Sequence, residues 1–145
     1  FKGNVEICRL LIETARADKF AVNNFGINML HTAAQGDQPI SLYYFSRLGL
    51  DLRSRDHRGS TPLHWACYSK SEVALIYILA WVDEFNDRDV EGYTPLHLAV
   101  KSVETLQSTR PVRALLIRGA SRDVKDEKGR TPADLIQDLS SLSMR

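Results

Sequence analysis

The sequence predicts an all-α protein in which helix–turn–helix repeats stack side by side as a solenoid. Two observations lead to this prediction: a tetrapeptide recurs four times in register, and the same turn signal precedes every copy. The chain of 145 residues is 43% hydrophobic and 26% charged. This is the composition of a folded domain, because a disordered segment has fewer apolar residues and a larger net charge.

The repeated tetrapeptide begins at positions 28, 61, 94 and 131, in steps of 33, 33 and 37 residues. It reads Asn-Met-Leu-His, Thr-Pro-Leu-His, Thr-Pro-Leu-His and Thr-Pro-Ala-Asp. Asn or Thr can cap a helix, and Pro suits the first helical position, where the missing N–H costs no hydrogen bond. Each copy therefore predicts the start of a first helix, whose Leu63 or Leu96 points into the core. Small residues such as Ala66 and Ala99 follow and allow neighbouring first helices to pack closely.

A turn element precedes each tetrapeptide. Asp or Asn stands three residues before a glycine, and this pattern is typical of a turn in which the side chain bonds nearby backbone and glycine takes positive φ. The polar residues are Asn23, Asp56, Asp89 and Asp126, and the glycines are Gly26, Gly59, Gly92 and Gly129. We therefore expect hairpin-like fingers built from β-turns between the helix pairs.

Second helices are predicted from aliphatic stretches at 73–79 and 112–117, with Gly49 and Gly119 as C-caps of their helices. Trp81 and Val82 replace that glycine in the middle repeat, so the turn there should differ. Residues 3–11 fit the second helix of a repeat that lacks its first half. The sequence starts with Phe1 inside that repeat, and we expect a longer parent protein with further residues covering this end.

The third and last repeats depart from the pattern. The 37-residue step places a four-residue insertion around residues 106–110, before Pro111 starts the second helix. Such an insertion is either a tolerated change of length or part of a working face. The last copy, with a short second helix that ends in residues 140–143, is typical of a capping repeat. The predicted boundaries are a truncated repeat at 1–22, repeats at 23–55, 56–88 and 89–125, and a capping repeat with its tail at 126–145.

The period and the Thr-Pro-Leu-His-x-Ala motif resemble the ankyrin repeat family over nearly the whole chain. The resemblance implies a module that binds proteins on a concave face made of turn tips and first helices. It also implies that His31, His64 and His97 are structural and bond backbone between neighbouring turns. A metal site was the alternative for this histidine ladder, but equivalent residues lie a repeat width apart, too far to share one ion.

Chemical motifs are otherwise lacking in the sequence. It contains no phosphate loop, zinc-type cysteine pair or nucleophile motif, so we predict no catalytic residue, metal or cofactor. Cys8 and Cys67 are interpreted as reduced, packed thiols of a cytosolic protein. The carboxylates Asp83, Glu84, Asp87 and Asp89 are interpreted as a solvated turn face. The net charge of +1 argues against nucleic acid and membrane surfaces as partners, and no segment is long and apolar enough for membrane insertion.

Candidate binding residues come from the exposed positions of the predicted concave face. Large aromatic and arginine side chains dominate the binding energy of protein interfaces. Phe25 and Tyr93 are therefore favoured as contacts. For Trp65 two interpretations are equally favoured, binding a partner and packing on the next repeat. The predicted protein-binding set is Phe25, Ile27, His57, Arg58, Trp65, Tyr68, Glu91 and Tyr93.

A second resemblance concerns the tryptophan in Thr61-Pro62-Leu63-His64-Trp65-Ala66. This variant is similar to the ankyrin region of the DHHC-type protein S-acyltransferases (palmitoyltransferases), in which a substrate peptide docks beside a tryptophan at this position. The accompanying asparagine of that family falls on Gly36 here, so its peptide specificity does not carry over. The resemblance implies a cytosolic, monomeric recruitment domain of a membrane enzyme. The alternative is an architectural or autoinhibitory ankyrin domain of a channel or scaffold protein.

Overall fold

The computed structural model describes the backbone of residues 5–143 and the side chains of residues 5–137. Residues 1–4 and 144–145, which the sequence assigned to the first and last repeats, lie outside the described residues. The described chain is helical, with turns between the helices and no β-strand. The helices are α1 (Val5–Glu13), α2 (Met29–Gln35), α3 (Pro39–Arg47), α4 (Pro62–Tyr68), α5 (Glu72–Trp81), α6 (Pro95–Lys101), α7 (Val103–Leu106), α8 (Arg110–Ile117) and α9 (Pro132–Ser143).

The helices form two layers. The inner layer consists of α2, α4, α6 and α9, each of which contacts the next. The outer layer consists of α1, α3, α5 and α8, packed in the same order, and α3, α5 and α8 each contact the inner helix that precedes them in the chain. A helix pair cannot bury both of its faces alone, so stacking of repeats creates one continuous core. The predicted solenoid is confirmed.

Each inner helix begins at a capping residue that the sequence motif supplies. The side chains of Asn28, Thr61 and Thr94 accept hydrogen bonds from backbone N–H groups in the first turns of α2, α4 and α6. The histidine three residues later bonds back to the backbone N–H of the capping residue. This reciprocal arrangement satisfies two otherwise orphaned donors, and loss of such a cap costs about 1 kcal/mol.

The core lies between the two layers and between neighbouring inner helices. Ala33, Ala66 and Ala99 are buried where inner helices meet, so their small side chains permit the close approach that the sequence predicted. Larger side chains fill the space towards the outer layer, among them Leu42, Phe45, Leu75, Ile78 and Leu115. Cys67 is also buried in this core, and burial raises the pKa of its thiol well above the usual range.

The outer helices end in two ways. Gly49 and Gly119 follow α3 and α8 with φ of 103° and 96°, the left-handed conformation that closes many helices. After α5, Val82 is extended, with φ of −102° and ψ of 146°. The turn of the middle repeat therefore differs because a β-branched side chain disfavours positive φ.

Four fingers connect the repeats, at residues 23–27, 56–60, 89–93 and 126–130. In the second finger Asp56 N–H donates to Ser60 O and Gly59 N–H to Asp56 O, and the other three close with equivalent bonds. Neighbouring fingers are joined by single backbone bonds from His57 N–H to Phe25 O, Val90 N–H to Arg58 O and Glu127 N–H to Glu91 O, of 2.9, 2.9 and 3.0 Å. The fingers are thus hairpin-like turns linked in a row.

The insertion lies between α6 and α8, where α7 and a short loop occupy the additional length. Gln107 in this loop has φ of 52°. The loop packs back on the preceding repeat, because Ser108 Oγ and Arg110 Nη1 both reach the carboxylate of Glu72, at 3.3 and 3.1 Å.

One expectation for the last repeat is wrong. The sequence predicted a first helix and a short second helix, but α9 is continuous from Pro132 to Ser143. No glycine or proline interrupts residues 133–143, so nothing in the local sequence forces a turn. The last unit described is therefore a finger followed by one helix.

Candidate functional site

An open cleft of about 360 Å³ lies on the inner face of the stack, between the second and third fingers and the inner helices α4 and α6. Its walls combine aromatic, aliphatic and charged side chains, as protein-binding surfaces do. The lining residues are Asp56, Arg58, Ser60, His64, Trp65, Tyr68, Asp89, Glu91, Tyr93, Leu98 and Lys101.

Trp65 forms one wall of this cleft and is held from two sides. Its indole Nε1–H donates to Oδ2 of Asp56 at 3.0 Å. Its ring meets the imidazole of His31 edge-on, with centroids 6.5 Å apart. Trp65 is therefore fixed against the preceding repeat while the remaining part of its half-buried ring faces the cleft.

Tyr68 and Leu98 complete the apolar part of the cleft. Tyr68 is the last residue of α4 and is 68% exposed. Leu98 occupies the position in α6 that Trp65 occupies in α4, one repeat earlier. The cleft thus has an indole on one helix and a branched aliphatic side chain on the next.

The charged groups of the cleft are partly paired with one another. Arg58 at the tip of the second finger forms an ion pair with Glu91 at the tip of the third. The Lys101 ammonium lies 4.4 Å from the ring centroid of Tyr93, a cation–π contact. The Arg58–Glu91 pair joins neighbouring repeats, whereas the Lys101–Tyr93 contact lies within the third repeat, and the cleft stays open between the two fingers.

The three histidines of the motif lie beneath the fingers and are buried. In each, Nδ1 accepts from the N-cap backbone N–H, so Nε2 carries the proton and donates to a carbonyl of the next finger region. His31 reaches Ser54 O and Ser60 O at 2.9 and 3.0 Å, His64 reaches Tyr93 O at 2.9 Å, and His97 reaches Arg130 O at 3.0 Å. Burial lowers the pKa of all three imidazoles, although the carbonyl bonds act in the opposite direction.

A comparison with protein families agrees with this architecture. The family model for ankyrin repeats, in three copies, matches residues 41–128, which is more than half of the chain. The chain belongs to the ankyrin repeat family. No curated protein matches it. Ankyrin repeats are generally non-catalytic modules of protein–protein interaction, and this is the functional class that membership supports.

Four of the predicted contact residues line this ankyrin cleft as cleft-facing side chains: Arg58, Trp65, Tyr68 and Glu91. Tyr93 lines it too, but the expectation of an exposed ring there is wrong, since Tyr93 is 7% exposed. Its ring lies 5.7 Å from that of His97, and its hydroxyl accepts from Arg130 Nη2 at 3.2 Å. Contacts within its own repeat and with the following ankyrin repeat therefore bury this tyrosine.

The other three predicted residues lie outside the cleft lining. Phe25, at the tip of the first finger, is 69% exposed, and Ile27 is half-buried beside it. His57 is exposed, and its imidazole lies close to Gly26 of the preceding finger. These residues form a separate part of the ankyrin finger row.

Sequence reasoning missed Asp56, Asp89 and Leu98 as cleft residues. It treated both aspartates as turn formers, and Asp89 also as part of a solvated acidic face. Both do form their turns: Oδ1 of Asp56 accepts from Arg58 and Ser60 N–H, and Oδ1 of Asp89 from Glu91 and Tyr93 N–H. The turn uses only one of the two carboxylate oxygens, so the sequence already indicated that the second oxygen of each aspartate could take part in a further contact.

The acidic segment at 83–89 is not a uniformly solvated face. Asp87 is bonded by Arg53, at 3.1 and 2.7 Å, and by Arg55, at 3.0 Å. Burial works to raise the pKa of Asp87, but the bonds and charges of the two arginines hold it below its usual range. This ion-paired group braces consecutive repeats.

No group of three or more His, Cys, Asp or Glu side chains among the residues that the structure describes is arranged to hold a metal ion. Among the described helices, none has both the length and the apolar character needed to cross a membrane.

Proposed function

We propose that this ankyrin stack is a recruitment module that holds a segment of a partner protein in the cleft between the second and third fingers. The observation that carries the proposal is the combination of Trp65, fixed by Asp56 and His31, with the exposed ring of Tyr68 in one open cleft. A rigid aromatic wall needs little ordering on binding, so more of the contact energy contributes to affinity.

The row of finger tips extends this surface. Phe25 is exposed on the first finger, one repeat before the cleft. A partner segment that fills the cleft and continues along the fingers towards Phe25 would cover the predicted contact residues of both regions. The backbone bonds between the fingers support this arrangement, because they fix the spacing of the tips before a partner arrives.

The more specific form of the proposal is substrate recruitment for a DHHC-type protein S-acyltransferase. It rests on the resemblance of the Trp65 motif to the ankyrin region of those enzymes, with Gly36 as the known departure. The parent polypeptide tests this form directly. An Asp-His-His-Cys motif between membrane spans in the same polypeptide supports it, whereas a parent without that motif leaves the architectural or autoinhibitory alternative.

Site-specific photo-crosslinking tests the recruitment surface. A benzoylphenylalanine replaces either Tyr68, in the cleft, or Tyr43, which is 52% exposed on the outer helix α3. We expect a partner protein to crosslink from position 68 in cells expressing the parent protein, and much less from position 43. Equal crosslinking from both positions, or crosslinking from position 43 alone, would contradict the concave-face assignment.

A further inference from the structure

Each of the four fingers contains one turn residue whose side chain accepts hydrogen bonds: Asn23, Asp56, Asp89 or Asp126. Each uses one side-chain oxygen in the same way, accepting from the backbone N–H groups two and four residues later. The carboxylates have a second oxygen, whose partner differs from finger to finger.

In two fingers the second oxygen binds a planar N–H donor from the same chain. Asp56 Oδ2 accepts from the indole Nε1–H of Trp65 at 3.0 Å, and Asp126 Oδ2 accepts from the guanidinium Nε–H of Arg130 at 3.0 Å. Arg130 belongs to the finger of Asp126, and Trp65 lies in the helix that follows the finger of Asp56, so both pairings are local. In these two fingers both carboxylate oxygens therefore have donors within the chain.

The corresponding oxygen of Asp89 has no donor among the described residues. The position equivalent to Trp65 is Leu98, which has no N–H in its side chain, and the position equivalent to Arg130 is Tyr93. The Tyr93 hydroxyl is bonded to Arg130 instead. Asp89 is half-buried and lines the cleft, so its second oxygen remains available to a donor that a partner brings into the cleft.

The side chains that line the cleft carry one more negative than positive charge. Three carboxylates line it, those of Asp56, Asp89 and Glu91, against two basic side chains, Arg58 and Lys101. Arg58 is paired with Glu91, and Lys101 lies over the Tyr93 ring. One negative charge is left without a counterpart, and a cationic donor that bonds Asp89 would neutralise it.

We propose that the cleft accepts an arginine side chain of the partner protein, whose guanidinium donates to the free oxygen of Asp89 and packs against Trp65 and Tyr68. Arginine fits better than lysine, because a flat guanidinium can stack on an aromatic face while its N–H groups bond a carboxylate. The guanidinium of Arg130 on Asp126 provides the same pairing within this chain. The inference rests on the proposed recruitment function and specifies the partner's chemistry.

A titration followed by NMR tests the inference with a defined probe. N-acetyl-arginine N-methylamide is added to the ¹⁵N-labelled chain, and the lysine and citrulline equivalents serve as matched probes. We expect saturable shifts of the Trp65 indole N–H and of the backbone around Asp89 with the arginine probe, weaker binding of the lysine probe and none of the neutral citrulline. Equal binding by citrulline or lysine, or no shifts around Asp89, would overturn the inference.

The variant Asp89→Asn separates the proposed bond from the fold. Asn23 forms the same turn with its amide oxygen in the first finger, so asparagine is compatible with the backbone of the third. Affinity for the arginine probe should fall about tenfold, as expected for the loss of one charge-assisted hydrogen bond. Asp123→Asn, at an exposed carboxylate that does not line the cleft, should leave the affinity unchanged. Unchanged affinity in Asp89→Asn would overturn the inference.

The two proposals fail in different ways. If crosslinking from position 68 persists but the arginine probe does not bind at Asp89, the recruitment function stands and the arginine inference falls. If no partner crosslinks from position 68, the recruitment function falls whatever the titration shows.

Discussion

At the scale of single residues, two chemically identical glycines have different structural demands. Gly92 and Gly129 both occupy the fourth position of their fingers in the left-handed conformation, with φ of 78° and 76°. A Cβ on Gly92 would lie 2.6 Å from Glu127 N and 2.9 Å from Asp126 C, because the next finger packs directly against it. A Cβ on Gly129 would meet nothing within 4 Å.

The pair Gly92→Ala and Gly129→Ala should therefore differ in stability. Both substitutions incur left-handed backbone strain of roughly 1–2 kcal/mol. Only Gly92→Ala must also displace backbone of the neighbouring finger, so its free energy of unfolding should fall further, by an additional ~1 kcal/mol or more. Urea denaturation followed by circular dichroism measures both. Equal losses would show that the close approach between the third and fourth fingers does not contribute.

Residue identities in the fingers were predictable where the pattern is local. The Asp/Asn–x–x–Gly spacing specifies bonds within five residues, and the structure has those bonds in all four fingers. The burial of Tyr93 was not predictable in this way. It depends on Lys101 at the end of the following helix and on Arg130 of the next finger, and the finger pattern carries no information about such contacts.

At the scale of helices, α5 is capped by a residue of the preceding repeat. Ser71 precedes α5 but makes no side-chain cap bond, and its hydroxyl donates to Gln35 O instead. Asp37 supplies the missing acceptor, since its Oδ1 accepts from Ala74 N–H at 2.7 Å. Asp37 does so from a left-handed conformation with φ of 54°, which Asn and Gly also tolerate.

Substitutions at Asp37 should separate the cap from the backbone strain. Asp37→Asn keeps the acceptor and tolerates the conformation, so only a few tenths of a kcal/mol should be lost, from the helix-dipole contribution. Asp37→Gly removes the acceptor without left-handed strain and should cost about 1 kcal/mol. Asp37→Ala removes the acceptor and adds strain, for a total of roughly 2 kcal/mol or more. Chemical denaturation gives the order, and an alanine variant as stable as the asparagine variant would rule out the inter-repeat cap.

Helix starts were more predictable than helix ends. The Thr-Pro pairs at 61–62 and 94–95 predict the starts of α4 and α6 directly, because Thr caps each helix and Pro occupies its first position. The continuity of α9 is different, because the sequence between 133 and 143 permits both a break and an uninterrupted helix. Tertiary packing decides between such alternatives, and that information is spread over the whole chain.

At the scale of the whole molecule, the buried histidines make stability depend on pH. Each imidazole links one repeat to the next through a carbonyl and has its pKa lowered by burial. The unfolded chain binds protons at these sites near the ordinary imidazole pKa of about 6.5, whereas the folded chain does not. Their contribution is therefore fully present above about pH 6.5 and is lost as the pH falls below it.

The free energy of unfolding should accordingly fall between roughly pH 7 and pH 5, by up to ~1.4 kcal/mol per pH unit for each histidine that stays neutral in the fold. The lowered pKa values of Asp87 and Asp126 act at lower pH, since both carboxylates are ionised in the folded and unfolded chains above about pH 5. Urea denaturation at constant ionic strength across this range measures the dependence.

The variant His97→Asn attributes this pH dependence to the histidine ladder. Asn can still accept from the Thr94 N–H, as Asp134 accepts from Thr131 N–H at 2.8 Å, but it does not titrate in this range. It loses the bond from Nε2 to Arg130 O, so its stability should be lower at every pH. The stability that it loses between pH 7 and pH 5 should nevertheless be smaller than that lost by the unsubstituted chain, because only two of the three titrating histidines of the ladder remain. If the free energy of unfolding of the variant ran parallel to that of the unsubstituted chain across this pH range, groups outside the ladder would cause the pH dependence. The histidines would then join the repeats without making their junction sensitive to acid.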